Sequence, residues 1–113
     1  MKWTQYIKKL ARQTRGGKEI NYNEVKSILK KDPSTLLLDV RSVQEYREGS
    51  LPGAKNIPSS EIKKQMGKGM LENKERTIVV FCSSGTRSNR VAKLLENNGY
   101  QEVYQLRGGL EAI

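Results

Sequence analysis

The sequence contains no histidine and only one cysteine, Cys82, among its 113 residues. The lack of histidine excludes mechanisms that use an imidazole general base, Cys-His catalytic pairs and histidine-ligated metal sites. A single cysteine excludes an internal disulfide and makes a poor metal site, so we expect no metal ion and no cofactor. A lone free thiol is typical of a reducing compartment, which predicts a cytoplasmic location.

Long apolar runs are missing as well. No stretch of about 18 apolar residues exists that could span a membrane, and the N-terminus lacks the apolar segment of a secretory signal. Only 35% of the residues are hydrophobic, and the mean hydropathy is -0.71. We therefore expect a soluble protein with no transmembrane segment, long enough for one domain with its own core.

Acidic residues are in the minority, since 12 Asp and Glu face 21 Lys and Arg and leave a net charge of +9. Most of the excess lies in residues 1–31, which hold nine basic residues against Glu19 and Glu24. A basic protein can bind nucleic acid, but the sequence has no recognised nucleic-acid motif and no aromatic series for base stacking. We expect no nucleic-acid partner and interpret the charge as a solvated face that attracts small anions.

The chemistry of the chain is concentrated in residues 77–97, where an apolar strand leads through a polar loop into a helix. Thr77–Phe81 is a run rich in β-branched residues, which is typical of a buried strand. Apolar residues at helical spacing follow it and predict a helix over Ser88–Asn97, with Ser88 as its N-cap. The only cysteine, Cys82, opens the loop between these two elements.

Cys82 and Arg87 stand at the two ends of this loop. Successive loop amides, a helix N-terminus and a guanidinium all attract negative charge, so the loop is expected to hold an anion and to favour Cys82 as thiolate. The alternative is that Cys82 is a small buried hydrophobe. The polar residues behind it would be costly to bury without a bound partner, which favours a reactive thiol. A thiolate without an acid or base partner suits transfers between sulfur atoms.

The rest of the chain alternates strands and helices. Strands are predicted at Lys18–Asn21, Leu36–Val40, Asn56–Pro58, Thr77–Phe81 and Glu102–Leu106. Helices are predicted at 22–31 (capped by Asn21 or Asn23), at 44–48, from Ser59 and at 88–97, while 63–75 has no assignment. This order predicts an α/β fold, a three-layer α/β/α sandwich around a mainly parallel sheet of about five strands. The domain is expected to span residues 18–113, after an amphipathic helix and linker at residues 1–17.

Asp39 falls at the carboxyl end of the predicted central strand Leu36–Val40. Ligands in open α/β sheets bind beyond strand ends, so a carboxylate there could be functional. The preferred interpretation is a structural one, in which Asp39 pairs with Arg41 or accepts hydrogen bonds from loop amides.

Several motifs, in this order along the chain, resemble the single-domain rhodanese family. They are Leu38-Asp39-Val40-Arg41, Glu45-Tyr46, the stretch Gly49–Pro58, the loop Cys82-Ser83-Ser84-Gly85-Thr86-Arg87-Ser88, and Leu106-Arg107-Gly108-Gly109. The loop is similar to the family's C-x-x-G-x-R-S/T pattern. The resemblance covers residues 18 to 110. Two departures are that Ser50 stands where the family commonly has histidine, and that no tryptophan follows Gly109.

The resemblance implies a rhodanese fold and a sulfurtransferase. Cys82 would accept the outer sulfur of thiosulfate or of another persulfide, and a thiol or cyanide would then take it from the Cys82 persulfide. The resemblance implies that the substrate anion and the persulfide are held by Ser83, Ser84, Gly85, Thr86, Arg87 and Ser88. Asp39, Arg41 and Arg107 are weaker, supporting candidates. The implied partners are a small sulfur-containing anion and a thiol acceptor, which could be a protein.

Two rival functions stay open at this point. Cysteine phosphatases and arsenate reductases also place a thiolate in an amide cradle closed by arginine, but with five residues between the two. Cys82 and Arg87 enclose four, and this tighter ring suits a sulfur atom better than a tetrahedral oxyanion. The second rival is a module of the same fold that docks to one partner, or relays sulfur to it, with little turnover of its own.

Overall fold

The computed structural model describes residues 17–113. The amphipathic helix predicted within residues 1–17 lies outside these described residues, and the domain boundary predicted at residue 18 stays a prediction. The described residues contain five strands in a single sheet: β1 Lys18–Ile20, β2 Leu36–Asp39, β3 Lys55–Asn56, β4 Ile78–Phe81 and β5 Val103–Leu106. Every pair of neighbouring strands is parallel, in the order β1-β5-β4-β2-β3. The predicted parallel sheet of five strands is confirmed.

Helices connect the strands and cover both faces of the sheet. They are α1 Tyr22–Lys31, α2 Val43–Glu48, α3 Ile62–Gln65 and α4 Thr86–Asn97, with 3-10 turns at Ser59–Glu61, Gly69–Leu71 and Gly109–Ala112. The Asn21 side chain accepts a hydrogen bond from Glu24 N at 2.8 Å, and the Glu24 carboxylate accepts one from Asn21 N. This reciprocal cap selects Asn21, not Asn23, as the start of α1.

Alternation along the strands divides the core into two layers. Leu36, Leu38 and Val80 pack on one face with Val91, Ala92 and Leu95 of α4. Leu37, Val79 and Phe81 pack on the other face with Val25 of α1, Ile20 and Leu106. Because successive side chains of a strand point to opposite faces, a continuous apolar run such as Leu36-Leu37-Leu38 supplies both layers. The three-layer α/β/α sandwich predicted from the sequence is therefore confirmed.

Tyr100 holds part of the segment 63–75, which had no assignment. Tyr100 is buried, and its hydroxyl donates a hydrogen bond to Leu71 O at 2.5 Å and accepts one from Gly67 N at 3.0 Å. A polar stretch without hydrophobic periodicity is thus fixed by a contact with a residue about thirty positions away, which no local pattern could predict.

The helix after the Cys82 loop starts two residues earlier than expected, and the predicted N-cap is wrong. α4 begins at Thr86, and Gly85 is its N-cap in a left-handed conformation with φ 104°. Ser88 lies in the first turn, where its hydroxyl donates to Gly85 O at 3.1 Å. Ser88 and Gly85 are both possible N-caps, and Gly85 is the one used because its left-handed conformation lets the chain turn sharply after Cys82.

Within residues 17–113, no helix is both long enough and apolar enough to cross a membrane.

Candidate active site at the Cys82 loop

Cys82 follows β4 directly, at the carboxyl edge of the sheet, and its side chain is fully buried. One side of the sulfur contacts the core beneath α4. The other side receives hydrogen bonds from the backbone amides of Gly85 at 3.1 Å and Ser88 at 3.4 Å. The sulfur is thus buried, as expected of a small hydrophobic residue, and also surrounded by hydrogen-bond donors, as expected of a reactive thiol. Inward-pointing amides around one atom form a site for a negative charge.

The balance of these contacts lowers the pKa of the Cys82 thiol. Burial acts first and most strongly, and it favours the neutral thiol. The hydrogen bond between the sulfur and the Ser88 hydroxyl, at 3.4 Å, and those from the amides of Ser88, Gly85 and Arg87 act in the opposite direction and together outweigh burial. The pKa therefore lies below the ordinary value for a cysteine, although the protein has no histidine. The thiolate, which is the nucleophilic form, is favoured by peptide dipoles.

The loop is held in shape by the chain that follows β5. The carbonyl oxygens of Cys82 and Ser83 accept hydrogen bonds from Leu110 N and Glu111 N, both at 2.9 Å. Gly109 lies against these same two peptide groups. A Cβ on it would lie 2.5 Å from Ser83 O and nearer still to Cys82 O, and its φ is +64°. With the carbonyls tied outward in this way, the amides of the loop are left to face the sulfur.

Arg87 is bound to Glu45 of α2, an acidic residue that sequence analysis did not include among the site residues. Its NH1 and NH2 groups donate to the two carboxylate oxygens of Glu45 at 2.6 and 3.1 Å. Ser83 joins the pair, because its hydroxyl lies 3.3 Å from Glu45 Oε2 and 3.4 Å from Arg87 NH2. Arg87 holds the pKa of Glu45 well below its usual range, and Glu45 in turn raises that of Arg87.

Glu45 could have been found from two signals in the sequence. It is the third residue after Ser42, and its carboxylate accepts a hydrogen bond from Ser42 N at 3.1 Å in the capping box that starts α2. It also forms part of the Glu45-Tyr46 motif. The capping box alone accounts for a glutamate at this position, so the sequence contains no separate signal for the pairing with Arg87, 42 positions away.

Asp39 and Arg41 form a buried ion pair, as preferred from the sequence. Three Arg41 nitrogens, the backbone amide included, lie 2.8 to 3.1 Å from the Asp39 carboxylate. Ser50, which stands where the related family commonly has histidine, donates to Asp39 Oδ2 at 2.8 Å. Arg41 also donates to Gly49 O at 2.6 Å. This network fixes the turn after β2, and the structure does not connect it to Cys82 by any of these bonds.

The remaining candidates lie at the surface of the loop. Ser84 and Thr86 are exposed, with their hydroxyl oxygens 3.5 Å apart. Arg107 is exposed and pairs with Glu19 at 3.5 Å. A polar cavity of about 490 Å³ is bounded by Ser84, Gly85 and Thr86 on one side and by Glu19 on the other. A smaller cavity of about 210 Å³ opens beside Arg87 and Arg90. Across residues 17–113, no three His, Cys, Asp or Glu side chains are grouped so that they could hold a metal ion.

Comparison with known proteins shows one family over residues 21–113. A family model described as a rhodanese-like domain matches residues 21–113. A rhodanese-like domain protein from Staphylococcus aureus superposes with a TM-score of 0.73 and 32% identity, over 84% of this chain and 89% of that one. A human single-domain sulfurtransferase gives a TM-score of 0.70 and 29% identity, over 80% of this chain and 89% of that one.

Curated relatives match part of this chain within longer proteins. The tRNA uridine(34) hydroxylase of Escherichia fergusonii is 32% identical over 82 residues, which are 70% of this chain and 23% of that protein. The chain therefore spans about a quarter of the length of such relatives.

Proposed function

Because this chain belongs to the rhodanese-like domain family, we propose that it is a sulfurtransferase that carries a sulfane sulfur on Cys82. The observation that supports this most directly is the Cys82 sulfur itself, which accepts hydrogen bonds from two loop amides and has a lowered thiol pKa. A sulfur atom prepared in this way is a nucleophile that needs no neighbouring base.

The proposed reaction has two steps, and neither changes the total oxidation state. The Cys82 thiolate attacks the outer sulfur of thiosulfate; a bond forms between the two sulfur atoms, the bond to the sulfonate sulfur breaks, and sulfite leaves with the electron pair. A thiolate or cyanide then attacks the outer sulfur of the Cys82 persulfide, and the Cys82 thiolate is released. A low-molecular-weight persulfide can replace thiosulfate in the first step.

The same donors that hold the thiolate are proposed to hold the persulfide anion. The segment Ser83–Ser88 supplies backbone N–H groups, and Gly85 and Ser88 already donate to the attacking atom. Arg87 would attract the donor with the N–H groups that Glu45 does not occupy. Arg41 and Asp39 would act only by supporting the turn after β2, and Arg107 by adding positive charge at the rim.

The name of the curated relatives points to a second chemistry, hydroxylation of a tRNA uridine, but it belongs to proteins about four times as long as the matched segment. We do not propose that reaction for this chain. A docking module and a cysteine phosphatase are the alternatives to be tested against sulfur transfer.

Mass spectrometry of the intact protein after incubation with thiosulfate tests the proposal. We expect a gain of one sulfur atom that cyanide or dithiothreitol reverses and that Cys82→Ala abolishes. A folded protein that gains no sulfur from thiosulfate or a small persulfide would refute transfer and favour the docking module. Release of phosphate from an aryl phosphate, with no sulfur gain, would favour the phosphatase.

Substitution of Arg87 tests its part in the reaction. We expect Arg87→Ala to lower turnover sharply while the protein remains folded, because the guanidinium both attracts the donor and orders Ser83. Arg47→Ala is the matched control, since Arg47 is an exposed arginine at the end of α2. If both variants turn over thiosulfate like the wild type, Arg87 has no part in the mechanism.

A further inference from the structure

The cavity of about 490 Å³ beside the Cys82 loop carries charges of both signs. Arg90 of α4 and Glu19 of β1 are both among the residues that line it. Gly85 also lines the cavity, and its backbone amide is the one that lies 3.1 Å from the Cys82 sulfur. The cavity therefore adjoins the cradle, which is the ring of backbone amides of Ser83–Ser88 in which a persulfide would be held.

Arg90 is available to a ligand. Its side chain is exposed, and within the described part of the chain its guanidinium makes no hydrogen bond or ion pair. This distinguishes it from Arg87, whose two terminal nitrogens both bind Glu45. An anion that enters this cavity would meet Arg90 without displacing an existing partner.

Glu19 is also accessible to a ligand, although it already has an ion-pair partner. It pairs with Arg107 at 3.5 Å, but both side chains are more than half exposed, at 54% and 64%. Ion pairs of this kind contribute little because water screens them. A ligand cation in the cavity could therefore share the Glu19 carboxylate. The exposed hydroxyls of Ser84 and Thr86 on the same wall can bind either kind of group.

We propose that this cavity binds the ammonium and carboxylate groups of a free α-amino-acid thiol, with the carboxylate on Arg90 and the ammonium on Glu19. This deepens the proposed function and rests on it, because the bound thiol would be the sulfur acceptor. After the thiol loses its proton to solvent, its sulfur attacks the outer sulfur of the Cys82 persulfide. A new sulfur-sulfur bond forms on the amino acid, the bond to Cys82 breaks, and the Cys82 thiolate returns.

Four acceptors of similar size separate the two charges. Cysteine has both groups, 3-mercaptopropionate has only the carboxylate, cysteamine has only the ammonium, and 2-mercaptoethanol has neither. With the 113-residue chain loaded with sulfur on Cys82, and with rates corrected for the thiolate fraction of each acceptor, we expect kcat/KM to be highest for cysteine. Its advantage over 2-mercaptoethanol should be about tenfold or more.

Two charge-removing variants assign the charges to residues. Arg90→Gln should lower kcat/KM about tenfold for cysteine and for 3-mercaptopropionate, and leave 2-mercaptoethanol unchanged. Glu19→Gln should lower it for cysteine and cysteamine instead, by a smaller factor because the Glu19 carboxylate is already shared with Arg107. Arg47→Gln serves as the matched control and should change none of the four. An equal rate for all four acceptors, or equal losses in all variants, would overturn the proposal.

A binding measurement keeps this proposal separate from sulfur transfer itself. S-methylcysteine has both charges but no thiol, so its binding does not depend on a persulfide. Titration of the unloaded protein, followed by NMR, should shift the backbone amide signals of Gly85 and Gly108, which both line the cavity, and Arg90→Gln should remove the shifts. Absence of those shifts in the wild type would refute the cavity proposal, whereas failure of Cys82 to gain sulfur would refute only the proposed function.

Discussion

Replacing Gly109 by alanine would place a methyl group against the main chain of the Cys82 loop. The new Cβ would lie 2.5 Å from Ser83 O, whereas ordinary contacts begin at 3.4 Å, so the two segments must separate by about 1 Å. Both obstructing groups are backbone, and neither can rotate away. The separation would break the two hydrogen bonds by which Leu110 N and Glu111 N hold the loop carbonyls.

The expected loss of stability follows from these contacts. Two backbone hydrogen bonds contribute about 1 kcal/mol each. A non-glycine residue at φ +64° adds about 1 kcal/mol of strain. We expect the free energy of unfolding of Gly109→Ala to fall by about 3 kcal/mol, as measured by urea denaturation. Displacement of reacting groups by about 1 Å can lower a rate about 100-fold, so sulfur loading of Cys82 should slow by about that factor.

Gly53→Ala is the control that contains the strain without the collision. Gly53 has a similar φ of +80°, but a Cβ there would meet nothing within 4 Å. This variant should lose about 1 kcal/mol and load sulfur at the normal rate. If Gly109→Ala matches Gly53→Ala both in urea denaturation and in the rate of loading, then the contact between Gly109 and the loop does not set the geometry of the cradle.

Two other predictions concern the buried ion pair and the thiol. Asp39→Asn should lower the free energy of unfolding by about 3 kcal/mol, because Arg41 is left buried without its carboxylate. The control is Glu61→Gln, which breaks an exposed ion pair with Lys64 at 3.6 Å and should change the free energy of unfolding by less than about 0.5 kcal/mol. Equal effects of the two variants in urea denaturation would contradict this reasoning. The rate of Cys82 alkylation by iodoacetamide should reach half its maximum at a lower pH than for free cysteine, and Ser88→Ala should raise that midpoint. Since the pKa of Cys82 is lower in the folded state, ionisation of the thiol stabilises the fold fully at pH values above the ordinary thiol pKa. This stabilisation is lost as the pH falls through the folded-state pKa. The difference in unfolding free energy between the wild type and Cys82→Ala should therefore vary with pH, and a constant difference would contradict the prediction.

The central strands were predictable from their local sequences. β4 is a continuous apolar run and β2 is one up to Asp39, a pattern typical of strands with both faces covered. The predicted limits of all five strands differ from the observed limits by no more than two residues. Asn21 was predicted as one of two helix caps, and the capping box with Glu24 shows why it is the one used.

Features that depend on distant residues could not be predicted. The sequence predicts Ser88 as the N-cap of α4, because a serine before an apolar repeat is a common N-cap, but the N-cap in the structure is Gly85. The partner of Arg87 lies 42 residues earlier in α2. Residues 67–71 are fixed by Tyr100, whose hydroxyl no local pattern connects to them. In each case the fold, and not the neighbouring sequence, selects the contact.

The order of strands also determines when the loop around the thiol is completed during synthesis. Of the five described strands, β5 is the last to leave the ribosome, yet it lies in the interior of the sheet between β1 and β4. The residues just after it supply the amides that tie back the carbonyls of Cys82 and Ser83. A nascent chain that ends before residue 111 therefore lacks at least one of these two hydrogen bonds, and the Cys82 loop is completed only after translation has passed that point.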